Sequence, residues 1–378
     1  MPSEEKEYPW WQAQMGKEEL RLVQEVLESG KVGDGEQCRQ FEHEAGQLLG
    51  SQYVLATPNG TMAITLALLA LGVGQGDEVI VPDLTWIATA NAISPTGAKI
   101  VLADVDPTTL TIDPTAIRKV VSSKTKAIIP VHVSGRAANM TEIMAIGEEH
   151  NIPIIEDAAE AFMSKYKDKY LGTIGELGIF SLSINKIITS GQGGLVVTNN
   201  KELANRMLEI KNQGISKNDS FWSKVGGKLG LLATGNDVIN SVGYNYKWSN
   251  INAAVALGQF KDLKKRMERI KSTLATYRHN LPKQITLLPF DLNSGELPLW
   301  IDCVAENRDK LYNYLSERKI FCRKFWLPLH NQKPYMGNDR DFPNSTRLYD
   351  KALWLPSAFT FEDNDIMHIC DVIKSFYS

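Results

Sequence analysis

The stretch SLSINKIITSGQGGLVVTN, residues 181–199, decides how the sequence is interpreted. It places Lys186 between one apolar run and a glycine-rich turn, after which a second apolar run covers residues 194–198. The turn is too short for the crossover that joins parallel strands, so the two runs are predicted to form an antiparallel pair. Lys186 has two interpretations. It is a solvated hairpin lysine, since buried lysines are rare, or an amine held where it can attack a carbonyl.

Five further apolar runs precede this pair and alternate with helical patterns. Their apolar residues are continuous, which indicates strands buried on both faces and therefore a mostly parallel sheet between layers of helices. The seven predicted strands are VLAT near Tyr53, EVIVP after Asp77, KIVLADV after Ala98, KAIIPVHV after Thr125, IPIIED after Asn151, GIFSLS after Leu177 and GLVVTN after Gly193. We therefore expect an α/β fold with a seven-stranded, mostly parallel sheet and one antiparallel strand.

The length of 378 residues predicts more than one domain, because single cores stop growing at roughly 250–300 residues. We expect an N-terminal helical segment (1–50), a large α/β domain (51–250) and a smaller C-terminal α/β domain (251–378). A long charged helical stretch from Ile251 leads into the smaller domain.

Composition argues against several classes of protein. The net charge of -3 leaves no basic face for nucleic acid, and no apolar run approaches the length of a membrane span. The N-terminus lacks the features of a signal peptide, so a cytoplasmic location is expected. The four cysteines have no CxxC spacing and no histidines lie at metal-ligand spacing, so we expect neither a disulfide framework nor a metal site.

Three features follow predicted strands at the edge where α/β sheets bind ligands. Residues 59–61, NGT, could hold a phosphate at a helix N-terminus or form an ordinary cap. Asp157 could pair with a protonated ring nitrogen, or begin a capping box that ends at Glu160. With the amine of Lys186, these features supply what pyridoxal phosphate (PLP) requires.

Two other residues have a functional and a structural interpretation. Trp86 follows the second strand and could stack on a pyridine ring, or could be a core tryptophan. Ser181 lies five residues before Lys186 and could add a hydroxyl to the phosphate site, although a small strand residue would look the same.

The ordered set of motifs resembles the DegT/DnrJ/StrS family of sugar aminotransferases, which have the aspartate-aminotransferase fold (PLP fold type I). The resemblance extends over almost the whole chain. It rests on NGT at 59–61, GDEVIVPDLTWIATANAI from Gly76, PVHVSG from Pro130, IIEDAAEA from Ile154, the lysine segment with GQGG, GYNYKWSNINAA from Gly243 and PLHNQKPY from Pro328.

The resemblance implies a role for each matching residue. Lys186 would form the Schiff base with PLP, Asp157 would hold the pyridinium nitrogen, and Glu160 would lie near the phenolic oxygen. Trp86 would stack on the ring. The phosphate would be held by Gly60, Thr61, Ser181 and, from the neighbouring subunit, Asn245.

That last contact implies a homodimer with shared active sites. His330 and Tyr335, in the motif PLHNQKPY, are candidates for substrate contact.

The function implied is transfer of an amino group from glutamate to a nucleotide-linked keto-deoxy sugar in polysaccharide or glycan biosynthesis. Glu160 and the run KNQG at 211–214 resemble perosamine synthases, which favours a 4-keto-6-deoxy sugar. Gln192, Lys247 and the long segment 216–241 depart from the family pattern. The nucleotide, amination at C3 or C4, and the final glycan stay open.

Three alternatives belong to other reactions or classes. A sugar dehydratase of the same family resembles this chain, but that branch has histidine where Lys186 stands. A non-catalytic binding or regulatory protein could keep the fold, although it has no need of the lysine, aspartate and phosphate site together. A nicotinamide oxidoreductase ranks last because no glycine fingerprint follows the first strand.

Overall fold

The computed structural model describes residues 6–215, 239 and 241–378. The strands, in chain order, are β1 (Tyr53–Thr57), β2 (Glu78–Pro82), β3 (Lys99–Ala103), β4 (Thr125–Ile128), β5 (Ile155–Asp157), β6 (Lys165–Tyr166), β7 (Lys169–Tyr170), β8 (Leu177–Ser181), β9 (Gly194–Thr198), β10 (Ile285–Leu287), β11 (Ile301–Ala305), β12 (Arg323–Lys324) and β13 (Ala352–Leu355). The helices are α1 (Lys17–Ser29), α2 (Glu36–Leu49), α3 (Gly60–Ala70), α4 (Ala88–Asn91), α5 (Pro114–Val120), α6 (Met140–His150), α7 (Lys201–Lys211), α8 (Asn250–Phe260), α9 (Leu263–Asn280), α10 (Arg308–Ser316), α11 (Pro343–Leu348) and α12 (Asp363–Tyr377).

The central sheet has two hydrogen-bonded parts, β1-β9-β8-β5 and β3-β2-β4. Parallel bridges from Ile128 to Ile154 and from Val131 to Asp157 place β4 beside β5, so the two parts continue into each other. Strand β9 runs antiparallel to both β1 and β8, which confirms the predicted antiparallel pair. Strands β1, β5 and β8 therefore point the same way, and their carboxyl ends share one edge of the sheet.

Both faces of the sheet are buried, as the continuous apolar runs predicted. Within β2, Val79 and Val81 pack in a cluster with α3, whereas Ile80 packs with residues of α5 and α6. Side chains alternate between faces along a strand, so helices cover each side. The α/β class is confirmed.

The C-terminal region carries a second sheet, of order β10-β11-β13-β12, with every pairing antiparallel. The helical stretch predicted from Ile251 is two helices, α8 and α9, with a break at Lys261 and Asp262. Strand β12 lies at the edge of this sheet and begins with Arg323.

The N-terminal segment packs against both parts of the chain. Phe41 of α2 stacks on Phe260 of α8 with ring centroids 4.9 Å apart. Upstream, Tyr8 pairs with Ile320, and the amide of Ser357 donates to the Trp10 carbonyl. These contacts hold the segment around Tyr8 and Trp10 in place, so that Trp10 lines the same cavity as Lys186.

Across the described part of the chain, none of the helices combines the length and hydropathy that crossing a membrane requires. The long segment predicted at 216–241 lies almost wholly outside the described residues. The domain boundaries at residues 50 and 250 stay predictions.

Candidate active site

A cavity of about 710 Å³ opens at the carboxyl edge of the central sheet. Its walls come from the ends of β1, β5 and β8, from the loop before α4, and from the second sheet. Seven of the predicted site residues line it: Gly60, Thr61, Trp86, Asp157, Glu160, Ser181 and Lys186. The three strands thus bring together residues that are up to 126 positions apart, from Gly60 to Lys186.

The N-terminus of α3 forms one end of the cavity. The Asn59 side chain accepts a hydrogen bond from the Met62 amide at 2.9 Å and caps the helix, while Gly60 and Thr61 lie at the cavity wall. Both predicted roles for NGT are therefore compatible, because an ordinary cap leaves the positive helix end facing the cavity.

Close packing holds this helix end beside two strands. A Cβ on Gly60 would lie 3.3 Å from the Cβ of Ser181, and a Cβ on Gly194 would lie 2.5 Å from the carbonyl carbon of Asn59. Residue 194 must therefore be glycine for α3 to begin at this position. The same packing brings the Ser181 hydroxyl to the first turn of α3, as the phosphate role requires.

Asp157 ends β5 and is buried at the floor of the cavity. Its carboxylate accepts hydrogen bonds from the Thr89 hydroxyl at 2.8 Å and from the Ala159 amide at 3.1 Å. Burial raises the pKa of Asp157, although these hydrogen bonds and the charge of Lys186 oppose the shift. The capping-box interpretation is wrong, because residues 158–164 form turns and not a helix.

Lys186 points into the cavity, and its side chain is only 10% exposed. The hairpin interpretation is therefore wrong. Its amine lies 3.7 Å from the Glu160 carboxylate and 4.7 Å from the centroid of the Trp300 ring. Burial lowers the pKa of Lys186, while Glu160 and Asp157 oppose that shift.

Glu160 is held in place from its other side. The Ser134 amide donates to its second carboxylate oxygen at 2.9 Å. Burial raises the pKa of Glu160, while the charge of Lys186 lowers it. The carboxylate can therefore hold a proton or an ion pair beside the amine.

Trp86 is 51% exposed, so the core interpretation is wrong. It lines the cavity, and the guanidinium carbon of Arg323 lies 5.6 Å from the centroid of the Trp86 ring. A flat aromatic face at the open side of the cavity fits the predicted stacking on a cofactor ring.

His330 and Tyr335 are not among the residues that line this cavity. His330 is buried: its amide and its Nδ1 bond to Asp83 at 2.8 and 2.7 Å, and its ring stacks on Phe342. The Tyr335 hydroxyl donates to the Asn91 side chain, away from Lys186. Within one chain, both residues hold the loop 328–335 against the large domain, and their substrate role stays a prediction.

Asn245 also lies outside the cavity of its own chain. It is exposed and forms a backbone bridge with Asn212. This position agrees with a contact to a second subunit, which stays a prediction.

Several cavity residues were missed in the sequence. Thr89, which bonds Asp157, lies inside the quoted motif TWIATANAI and could have been found there. Trp300 immediately precedes β11 and Arg323 begins β12, and neither belongs to a family motif. Only the tertiary fold brings them to Lys186.

The residues of this cavity fit PLP. The buried Asp157 carboxylate has no cation in direct contact among the described residues, and a protonated ring nitrogen would supply one. The N-terminus of α3 with Ser181 offers donors to a phosphate, and Lys186 offers an amine whose pKa is lowered by burial. The three groups are those that the cofactor requires.

Comparison with known proteins gives a consistent result. Residues 13–374 match the model of the DegT/DnrJ/EryC1/StrS aminotransferase family. The chain is 35% identical to the GDP-perosamine synthase of Escherichia coli O157:H7 over 377 residues, which cover 98% of each protein. It is 33% identical to the spore coat polysaccharide biosynthesis protein SpsC of Bacillus subtilis (strain 168), covering 95% of this chain and 94% of that one.

A solved structure is similar over the same extent. It is a DegT DnrJ EryC1 StrS aminotransferase from Brucella abortus, with a TM-score of 0.85 and 28% identity, covering 96% of this chain and 95% of that chain. The sequence comparison and the structure comparison therefore point to the same group of aminotransferases.

Proposed function

Because this chain belongs to the DegT/DnrJ/EryC1/StrS aminotransferase family, we propose that it uses PLP to transfer the amino group of glutamate to a nucleotide-linked keto-deoxy sugar. The chain is a sugar aminotransferase, and the aminotransferases of its family are PLP-dependent. The donor, the nucleotide-linked acceptor and the residue roles are the proposal.

One observation carries the proposal: the amine of Lys186 and the carboxylates of Asp157 and Glu160 line one cavity beside the N-terminus of α3. When bound, PLP supplies an aldehyde that reacts with amines and a pyridinium ring that withdraws electrons from the donor Cα. Asp157 would keep the ring nitrogen protonated, because a carboxylate favours the charged form of a neighbouring base.

Lys186 would act twice. Before the donor binds, its amine would hold the cofactor, and the amine of the donor would displace it. In the structure the amine lies near Glu160 and over the Trp300 ring, and once displaced it would take the proton from the donor Cα. Its lowered pKa favours this role, since an amine must be neutral to accept a proton.

Glutamate would leave as 2-oxoglutarate, and the keto carbon of the sugar would become an amine in the reverse sequence of steps. The relative named GDP-perosamine synthase supports a nucleotide-linked sugar as the acceptor. Glu160 and the run KNQG at 211–214, which resemble perosamine synthases, favour a 4-keto-6-deoxy sugar.

We also propose that the protein acts as a homodimer in which Asn245 reaches the phosphate of the other subunit. Exposed apolar side chains support a covered face beside the cavity: Ile184 is 63% exposed and lines the cavity, and Val242 is 84% exposed near Asn245. Mixing inactive Lys186→Ala with inactive Asn245→Asp tests the shared site. Activity regained on subunit exchange supports it, and no recovery despite exchange contradicts it.

The overall proposal is tested by incubating the PLP-loaded protein with glutamate and a nucleotide-linked 4-keto-6-deoxy sugar. We expect 2-oxoglutarate and a 4-amino sugar in equal amounts, identified by mass spectrometry and NMR. Release of a deoxygenated sugar without consumption of glutamate would instead indicate a dehydratase and would refute the proposal.

A further inference from the structure

Arg323 brings a cation from the second sheet into the cavity. It is the first residue of β12, and it lines the same cavity as Lys186. Its guanidinium carbon lies 4.7 Å from the ring centroid of Trp10, 5.6 Å from that of Trp86 and 5.4 Å from that of Trp354. Three tryptophans thus surround the guanidinium.

Among the residues that the structure describes, no carboxylate is in direct contact with this guanidinium. Within the described part of the chain, it makes neither an ion pair nor a hydrogen bond. The buried Arg136 differs, since it bonds Asp302 at 2.9 Å and two backbone carbonyls. Burial lowers the pKa of Arg323, and only the attraction of Glu160 opposes that shift. A guanidinium has five N–H donors, so those of Arg323 are available to a ligand.

The guanidinium and the reacting amine occupy one part of the cavity. Lys186 lies over Trp300, whose ring packs edge-on against Trp354 with centroids 5.4 Å apart, and Arg323 lies near that second ring. The two cations are also close enough for the charge of Arg323 to lower the pKa of Lys186. Arg323 is therefore near the carbon at which amino transfer would occur.

The position of Arg323 indicates which of two anions it would bind, the carboxylate of the donor or the diphosphate of the nucleotide sugar. An α-amino acid carries its carboxylate on the same carbon as its amino group, so a donor whose amine replaces that of Lys186 places its carboxylate close by. The diphosphate of a nucleotide-linked 4-keto sugar is attached across the sugar ring from the keto carbon. The nearer anion is the carboxylate, which the planar guanidinium fork matches with two parallel hydrogen bonds.

We propose that Arg323 binds the α-carboxylate of the amino donor, with the rings of Trp10, Trp86 and Trp354 holding its guanidinium in the cavity. The inference rests on the proposed function and adds the residue that selects an α-amino acid as donor. Arg323 would contact the donor and not the nucleotide sugar.

The two half-reactions allow a direct test. For Arg323→Gln, kcat/KM of the glutamate half-reaction should fall about 10- to 100-fold, the loss expected for a charge-assisted hydrogen-bonded pair. Arg323→Lys should recover part of that loss, since lysine keeps the charge but cannot donate two parallel hydrogen bonds to a carboxylate. The sugar half-reaction, started from variant protein loaded with pyridoxamine phosphate, should change much less, because there Arg323 acts only through its charge effect on the pKa of Lys186. A defect confined to the sugar half-reaction would overturn the inference and indicate a phosphate contact.

A matched control is Arg318→Gln. Arg318 also lies over an aromatic ring, 3.5 Å from the centroid of Tyr314, but on the surface and outside the cavity. Both half-reactions of this variant should match those of the unmodified protein. The same loss in both variants would overturn the inference, because it would then come from the charge of the protein and not from a contact.

Binding without turnover gives a second readout. 2-Methylglutamate has both carboxylates but no Cα proton, so it can bind without completing transfer. It should change tryptophan fluorescence of the PLP-loaded protein, because three tryptophans surround Arg323, and Arg323→Gln should weaken its binding by a similar factor. Unchanged binding to Arg323→Gln would overturn the inference.

The unmodified protein provides a test that needs no variant. It should prefer glutamate over glutamate α-amide by about 10- to 100-fold, and Arg323→Gln should lose that preference. Equal use of the two donors by the unmodified protein would refute the role of Arg323 but would leave the proposed function standing. No amino transfer from either donor would refute the proposed function, and the inference would fall with it.

Discussion

The amine of Lys186 lies 3.7 Å from the carboxylate of Glu160, and both side chains are almost excluded from solvent. Burial pushes the pKa of Lys186 down and that of Glu160 up, while the attraction between them opposes both shifts. The two groups therefore titrate as a coupled pair. The charge of Glu160 therefore opposes the effect of burial on the pKa of Lys186.

Replacing Glu160 with Gln should lower the pKa of Lys186 further, because the carboxylate that favours the ammonium is lost. A lower pKa means that the neutral amine persists to lower pH. The pH profile for acylation of Lys186 in cofactor-free protein, measured by mass spectrometry, should shift toward acid, with exposed lysines as internal references. A shift toward alkaline pH would contradict the assigned pairing.

Lys186→Ala should keep the fold and lose amino transfer, since no other amine faces the donor Cα among the residues lining the cavity. We expect the rate to fall at least about 1,000-fold, as for other nucleophiles that act as part of a unit. Circular dichroism and thermal unfolding monitor the fold. Lys186→Arg keeps the charge and should be as inactive as the alanine variant; appreciable turnover by either variant would refute the role of Lys186.

Asp157→Asn should reduce the rate of the glutamate half-reaction by about 100-fold or more, because an amide cannot stabilise a protonated ring nitrogen. Asn keeps the size of the side chain and can still accept from the Thr89 hydroxyl. The cofactor-free variant should show little or no loss in its free energy of unfolding, since the buried charge is removed. Thr89→Val is the control for the hydrogen bond, and its loss of rate should be much smaller. Equal losses would show that this hydrogen bond matters as much as the charge, and an unchanged rate in Asp157→Asn would contradict the role of the charge.

Gly194→Ala should weaken cofactor binding and stability together. The added Cβ would lie 2.5 Å from the carbonyl carbon of Asn59, so the first turn of α3 must move. Overpacking of this kind costs about 1–3 kcal/mol in the free energy of unfolding. Gly74→Ala, where no atom lies within 4 Å of the added Cβ, is the matched control. Urea unfolding and PLP titration measure both effects, and identical behaviour of the two variants would contradict the account of the α3 site.

The fold could be predicted from the sequence because its signals are local. Each strand of the central sheet is a short, continuous apolar run, and the direction of β9 followed from the length of one turn. The helical stretch predicted from Ile251 is divided into two helices, and nothing in its spacing marks the break at Lys261.

The candidate site likewise contains residues that local sequence signals predict and residues that they do not. Gly60, Asp157 and Lys186 follow strands whose carboxyl ends meet, so their proximity could be inferred from topology. Arg323 reaches the cavity through the packing of a second sheet, which no local pattern encodes. His330 lies in a quoted motif, yet it is buried against Asp83, because a motif does not specify the direction of a side chain.

The most direct test of the role of Lys186 is the visible absorption spectrum of the purified protein with PLP, before and after glutamate is added. We predict a yellow band that depends on Lys186, is absent in Lys186→Ala and is bleached by glutamate as 2-oxoglutarate forms. A protein that binds PLP without the band, or a band that glutamate leaves unchanged, would contradict the assignment of Lys186 as the residue that holds the cofactor and gives it up to the donor.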